Sequence, residues 1–162
     1  RPERVHGDRP SDLVTAAAFA LSAPLASAQQ TPAELVVGAW HCSAPAGDLV
    51  SAGDLTYNAD GTSTFDQQVT GPVEGMPLVV RIVGTATWFI DDDGMLSDNI
   101  VTAESPSGTI NGQPLPAETL TTFATEVKAN GHSLSEFTVD AEKLMISDGQ
   151  GGGSDCTRKG PA

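Results

Sequence analysis

The residues of this chain that could do chemistry are its 21 carboxylates, three histidines and two cysteines. The longest acidic run is Asp91-Asp92-Asp93, followed by Gly94 and then Asp98. A calcium loop of the D-x-[DN]-x-[DN]-G-x5-E type spaces its carboxylates at alternate positions so that they converge on one ion. Consecutive carboxylates at a strand end point different ways, so this run reads as a solvated turn. Asp60-Gly61 fails the same test, because Thr56 and Gln67 stand where ligands are needed. His6, His41 and His132 lie far apart without ligand spacing, and each reads as a surface residue. No metal and no cofactor is therefore expected. The chain has no G-x-S-x-G, no H-E-x-x-H and no phosphate-binding loop, since Gly151-Gly152-Gly153 runs into Ser154-Asp155-Cys156. Its carboxylates show no pairing that marks a general acid and base, so a non-catalytic role is expected.

The two cysteines are read through the N-terminal segment. Residues 13–26 (LVTAAAFALSAPLA) form an uncharged apolar run behind Arg1, Arg4 and Arg9, and Ala26-Ser27-Ala28 is a small-x-small cleavage pattern. That layout predicts a secretory signal peptide over residues 1–28 and a mature domain over 29–162. The alternative, a membrane anchor, needs about 20 apolar residues, which this run lacks. No later stretch is apolar enough to span a bilayer. Export to the periplasm or beyond is an oxidising context, in which Cys42 and Cys156 are expected to pair. The net charge is −13 and stays so without residues 1–28, where three arginines offset Glu3, Asp8 and Asp12. Such a surface repels phosphate backbones and anionic membranes, which argues against nucleic-acid binding.

The elements that must position any site are mostly strands. Residues 35–43 and 55–58 read as the first two, with a Pro/Gly loop over 44–53. Residues 62–70 follow the Asp60-Gly61 turn as a third. Residues 78–90 (LVVRIVGTATWFI) are the strongest strand candidate. Val80, Ile82, Gly84, Ala86, Trp88 and Ile90 share one parity and are all apolar or small, which assigns them to the interior. Gly84 is expected to mark a bend. Residues 95–103 form a fifth strand, 71–77 and 104–116 read as loops, and 132–140, 143–147 and 154–159 complete the set. Leu120, Phe123, Ala124 and Val127 recur with helical spacing, between Pro116 and Asn130-Gly131, and predict a helix over 117–129. The expected fold is mainly β: eight antiparallel strands in an up-and-down barrel, with one helix between strands five and six. Closure removes the exposed edges that an open sheet would leave.

Gly38-Ala39-Trp40 in a first strand resembles the G-x-W of lipocalins. The ordered set of Trp40-x-Cys42, Thr56–Thr62 (TYNADGT), Gly84–Trp88 (GTATW), a helical insert and Asp155-Cys156-Thr157-Arg158 resembles small exported bacterial lipocalin-like proteins. The resemblance runs over about residues 35–159 and implies fold more than activity. It also implies that Trp40 plugs the closed end of the barrel under a basic residue of the last strand. If Cys42 lies opposite Cys156 in an antiparallel pair of first and last strands, Trp40 lies opposite Arg158 on the same face. A contact of Arg158 over the indole would contribute about 0.5–2 kcal/mol.

Function is then a question of what the barrel encloses. The candidate interior positions are Tyr57, Phe65, Gln67, Val69, Val80, Ile82, Ala86, Trp88, Leu96 and Phe137. They fit either a cavity for a small hydrophobic molecule or a filled core. The first makes the chain a non-catalytic binding module for an apolar ligand. The second makes it a protein–protein module, such as a periplasmic inhibitor or envelope-associated factor, whose loops 44–53, 71–77 and 104–116 would contact an envelope protein.

Overall fold

The computed structural model describes residues 29–160. The signal-peptide reading of residues 1–28 lies outside them. The first element is a short helix, α1 (Pro32–Val36), where the sequence pattern suggests leader and strand. Thr31 caps it: its hydroxyl accepts from the Glu34 amide, and the Glu34 carboxylate accepts from the Thr31 amide. With Pro32 in the first turn, this reciprocal cap stabilises a helix otherwise too short to persist.

Nine strands follow: β1 (Gly38–Ala46), β2 (Leu49–Tyr57), β3 (Thr62–Val73), β4 (Met76–Ile90), β5 (Leu96–Ile110), the two-residue β6 (Gln113–Pro114), β7 (His132–Val139), β8 (Lys143–Ser147) and β9 (Gly153–Arg158). The helix α2 (Ala117–Ala129) stands between β6 and β7. All pairings are antiparallel in the order β4-β3-β2-β1-β9-β8-β7-β5-β6, and an additional β4–β5 pairing closes the sheet into a ring. Eight strands make the ring and β6 is a ninth, paired only to the end of β5. Among the described residues, no helix is long and apolar enough to cross a membrane.

Three expected loops are hairpins. Residues 44–53 turn at Gly47-Asp48, so β1 extends to Ala46 and β2 begins at Leu49 rather than 55. Gly53 lies in a strand because β3 approaches closely: a Cβ there would meet the backbone of Asp66 and Gln67. Residues 71–77 turn at Glu74-Gly75 and residues 104–116 at Asn111-Gly112. Both central residues of each turn have positive φ (51° and 78°, 49° and 76°), the two-residue hairpin geometry whose twist matches that of the flanking strands. Pro106 does not interrupt β5, because it sits in an irregularity where Ser105-Pro106 opposes Ile82 alone, a place where a residue without a backbone N–H is tolerated. A second register shift follows at Thr85/Ala86, so Gly84 lies between two irregularities of the β4–β5 pair.

The ring is uneven. β3, β4 and β5 are 12 to 15 residues long, while β8 and β9 have five and six. β7 pairs with β5 only over Leu96–Asn99. Beyond that, the tall wall is covered by α2, whose Leu120, Phe123 and Val127 pack with Leu115 against Leu78, Val80 and Ile82. Thr121, Thr122 and Thr125 lie on its exposed face, where their hydroxyls donate back to carbonyls four residues earlier. A separate core cluster fills the other end: Val36, Trp40, Cys42, Tyr57, Trp88, Leu96, Leu144 and Cys156.

Candidate functional site

The two core clusters leave a space between them. A cavity of about 420 Å3 occupies the barrel interior, a volume suited to a small molecule. Its floor is built by Tyr57 from β2, Ser63 from β3, Ala86 from β4, Asp98 from β5 and Ser135 from β7. Phe65, Gln67, Val69, Ile82, Ile100 and Val127 form the walls, and Ala44, Pro45, Asp148 and Ser154 stand towards the β1–β2 and β8–β9 turns. The period-two alternation of β2, β3, β4, β5 and β7 turns these side chains inward: Asp98 and Ile100 are two residues apart and share one face of β5 with Leu96, in an unbroken stretch of the β4–β5 register.

Of the candidate interior residues, Tyr57, Phe65, Gln67, Val69, Ile82 and Ala86 line this cavity. Val80 is fully buried in the cluster beneath α2, Trp88 and Leu96 belong to the closed-end cluster, and Phe137 packs against that cluster. These four are inward-facing but are walled off from the space. Trp88 is held there by donating from Nε1 to the Asn58 carbonyl at 3.0 Å, with Tyr57 edge-on at 5.2 Å between ring centres.

Of the polar lining, Tyr57 and Gln67 are among the expected interior residues, and Ser63, Asp98, Ser133 and Ser135 are not. Asp98, grouped with the acidic turn on sequence, is on β5 and faces inward, whereas Asp91 accepts from the Asp93 and Met95 amides within the turn itself. Tyr57 Oη donates to Asp98 Oδ2 at 3.1 Å. Burial pushes the Asp98 carboxyl up to about 6, partly opposed by that hydrogen bond. Burial, with the adjacent carboxylate, also raises the Tyr57 phenol well above its ordinary value. Ser63 is 1% exposed, and its hydroxyl has no hydrogen-bond partner among the described residues. Ser51 donates to Gln67 at 2.7 Å, which settles one polar pair on the wall.

Asp98 makes stability depend on pH in a definite direction. Its folded pKa lies above its unfolded value, so folding takes up protons between about pH 4 and 6. Stability falls as pH rises through that window, and the cost is complete above about pH 6. Asp98→Asn is expected to stabilise the protein at about pH 8 by up to about 3 kcal/mol, and to change little near about pH 3. Urea melts of both proteins across this range would measure it. A variant no more stable at pH 8 than at pH 3, relative to the parent, would contradict the assignment.

No family model matches this chain, and no curated protein matches it significantly.

The far end of the barrel is a seam. β1 and β9 pair over four residues, with Trp40 opposite Arg158 and Cys42 opposite Cys156, and the two sulfurs are 2.07 Å apart. The Arg158 guanidinium lies 4.1 Å from the Trp40 ring centre. It donates to the carbonyls of Leu35, Val37 and Ala141, while Trp40 Nε1 donates to the Val36 carbonyl at 2.8 Å. Together they satisfy the C-terminal carbonyls of α1 and hold that helix, with Val36 fully buried, over the closed end. A surface groove of about 740 Å3 runs along the outside of this seam, past Gly38, Ala141, Lys143 and Arg158. Its Arg158 guanidinium is already committed to backbone carbonyls. His41 faces outward and meets Asp54 at 3.0 Å, and His132 is exposed at the start of β7. Among the described residues, no three His, Cys, Asp or Glu side chains are grouped to hold a metal ion.

Proposed function

We propose that this chain is an exported, lipocalin-like, non-catalytic carrier that takes a small molecule with a substantial apolar part into its barrel. The observation that carries the reading is the interior cavity of about 420 Å3, walled by Phe65, Val69, Ile82, Ile100 and Val127. A barrel serving only as a rigid support gains by filling such a space, since dispersion contacts are lost around any void. The closed end is filled by a core cluster, which supports ligand entry near the β1–β2 and β8–β9 turns. The disulfide supports an oxidising compartment, periplasmic or extracellular.

Uptake of Nile red, a neutral probe whose emission rises in apolar surroundings, tests the reading. The parent protein should bind it, and Ala86→Leu, which projects new atoms into the cavity from β4, should weaken binding by about tenfold or more at unchanged circular dichroism. Absence of uptake by the parent, or equal uptake by the variant, would remove the cavity as the site.

One observation favours a second reading, a protein-interaction module. Phe89 and Leu134, 59% and 52% exposed, flank the buried Ser97 across β4, β5 and β7 on the outer wall. A partner would then dock on strands rather than on the loops expected from sequence. Phe89→Ser with Leu134→Ser should abolish partner binding under this reading and leave Nile red uptake intact under the first.

A further inference from the structure

We propose that the cavity selects organic cations: a small amphipathic amine binds with its ammonium group paired to Asp98 and its apolar part against Phe65, Val69, Ile82 and Val127. This rests on the carrier reading and narrows its ligand class, departing from the purely apolar ligand that the sequence suggests.

The charge of the lining carries the first part. Tyr57, Asp98 and Asp148 are the titratable residues lining the cavity, and among the described residues no lysine, arginine or histidine lines it. Each element packed around Asp98 is uncharged towards it except at the mouth. β2 presents Tyr57, β4 presents Ala86 and β7 presents Ser133 and Ser135. α2 presents Val127, and Asp148 stands at the β8–β9 turn. Ser133 lies directly opposite Asp98 in the β5–β7 register. A largely buried carboxylate without a cation is costly, and proteins normally pair or neutralise it. An anionic ligand would meet two carboxylates of its own sign.

The unpartnered hydroxyl carries the second part. Ser63 is buried at the cavity floor with no partner for Oγ among the described residues, and Tyr57 occupies only one oxygen of Asp98. A wholly apolar ligand would leave both groups unsatisfied. An ammonium group offers donors and no acceptor, which matches a carboxylate supported by hydroxyls. The folded pKa of about 6 leaves Asp98 ionised at neutral pH and available for the pairing, and protonated in mild acid.

Isothermal titration of the full chain with n-octylamine, 1-octanol and octanoate at about pH 7.5 tests this. Octylamine should bind about 10- to 100-fold more tightly than octanol, with octanoate the weakest. In Asp98→Asn the amine-to-alcohol ratio should collapse to within roughly threefold, and in Ser63→Ala it should fall by several-fold. The parent at about pH 4.5, where octylamine stays charged and Asp98 does not, should behave like Asp98→Asn, which covers the case of a misfolded variant. Equal binding of amine and alcohol by the parent overturns the proposal. So does a preference that survives Asp98→Asn, because the diffuse −13 charge would then be holding the amine. If Nile red binds and the amine is not preferred, only this inference falls; if no probe binds, the carrier reading falls with it.

Discussion

Replacing Trp40 with alanine is expected to destabilise the fold by about 3–5 kcal/mol. The side chain is fully buried in the closed-end cluster, so truncation leaves a void among Val36, Tyr57, Leu96 and Leu144. It also strands the Val36 carbonyl, which loses the indole N–H, and removes the ring beneath the Arg158 guanidinium. Arg158 would still bond Leu35, Val37 and Ala141, so α1 is loosened rather than released. Trp40→Phe separates the effects: it retains most of the apolar contact and loses the hydrogen bond, so it should cost about 1–2 kcal/mol. Equilibrium urea unfolding at neutral pH measures both. A Trp40→Ala midpoint equal to that of the parent would mean that the closed end contributes little to the cooperative unit. Ligand binding gives a further check, because Trp40 does not line the cavity. At temperatures where the variant remains folded, Nile red affinity should change little.

How much of this was legible in the sequence depends on the range of the interaction. β4 was readable in detail because alternation is local: Leu78, Val80, Ile82, Ala86 and Trp88 are buried and Arg81, Thr85 and Thr87 are exposed. The boundaries of α2 were readable too, from its apolar spacing and the Asn130-Gly131 stop. The missed hairpins had local signals that composition obscured. Asn111-Gly112 is a strong two-residue turn, yet Pro106, Pro114 and Pro116 around it argue for loop until the irregularity that accommodates Pro106 is known. α1 was also marked locally, by Thr31-Pro32-x-Glu34, but the apolar Leu35-Val36-Val37 that follows reads as the start of a strand.

The site was less legible than the fold for a different reason. Parity tells which side chains point inward and not how far along the barrel the packing stops. Trp88 and Ala86 share one parity on one strand, yet one completes the closed-end core and the other lines the cavity. Asp98 reads as part of the acidic turn that begins at Asp91, and Ser63 follows the Asp60-Gly61 turn closely, so nearness to a turn masks the inward position of each. Their positions two residues from Leu96 and Phe65 carried the signal, since each shares a strand face with an apolar neighbour. A polar residue in the inward parity of a barrel strand is informative because burial there needs a partner.

Loss of the Cys42–Cys156 bond is expected to cost about 3–4 kcal/mol, and Cys42→Ala with Cys156→Ala measures it. The two cysteines are separated by 114 residues, so the bond closes nearly the whole described chain. Loop-closure entropy for such a length gives an upper figure of about 4.8 kcal/mol, from which residual order in the unfolded chain subtracts. The seam it crosses is short: β1 and β9 pair only from Trp40 to Ser43, and β9 reaches the rest of the ring through the five-residue β8. Without the bond, this is the part of the ring with the least alternative support, so it should open first under denaturant. Hydrogen exchange at the amides of β9 should accelerate more in the double variant than at those of β4, which pairs with β3 from Met76 to Thr87 and with β5 between Leu78 and Ile90. The parent should show the same change on reduction with dithiothreitol, and the double variant should be insensitive to it. Combining the cysteine substitutions with Trp40→Ala should give less than the sum of the separate effects, because Trp40 and Cys42 lie on one face of one strand and act on the same closure. Full additivity would show that the indole and the disulfide stabilise independent regions, and an unchanged melting midpoint in the double variant would show that strand pairing alone holds the ring shut.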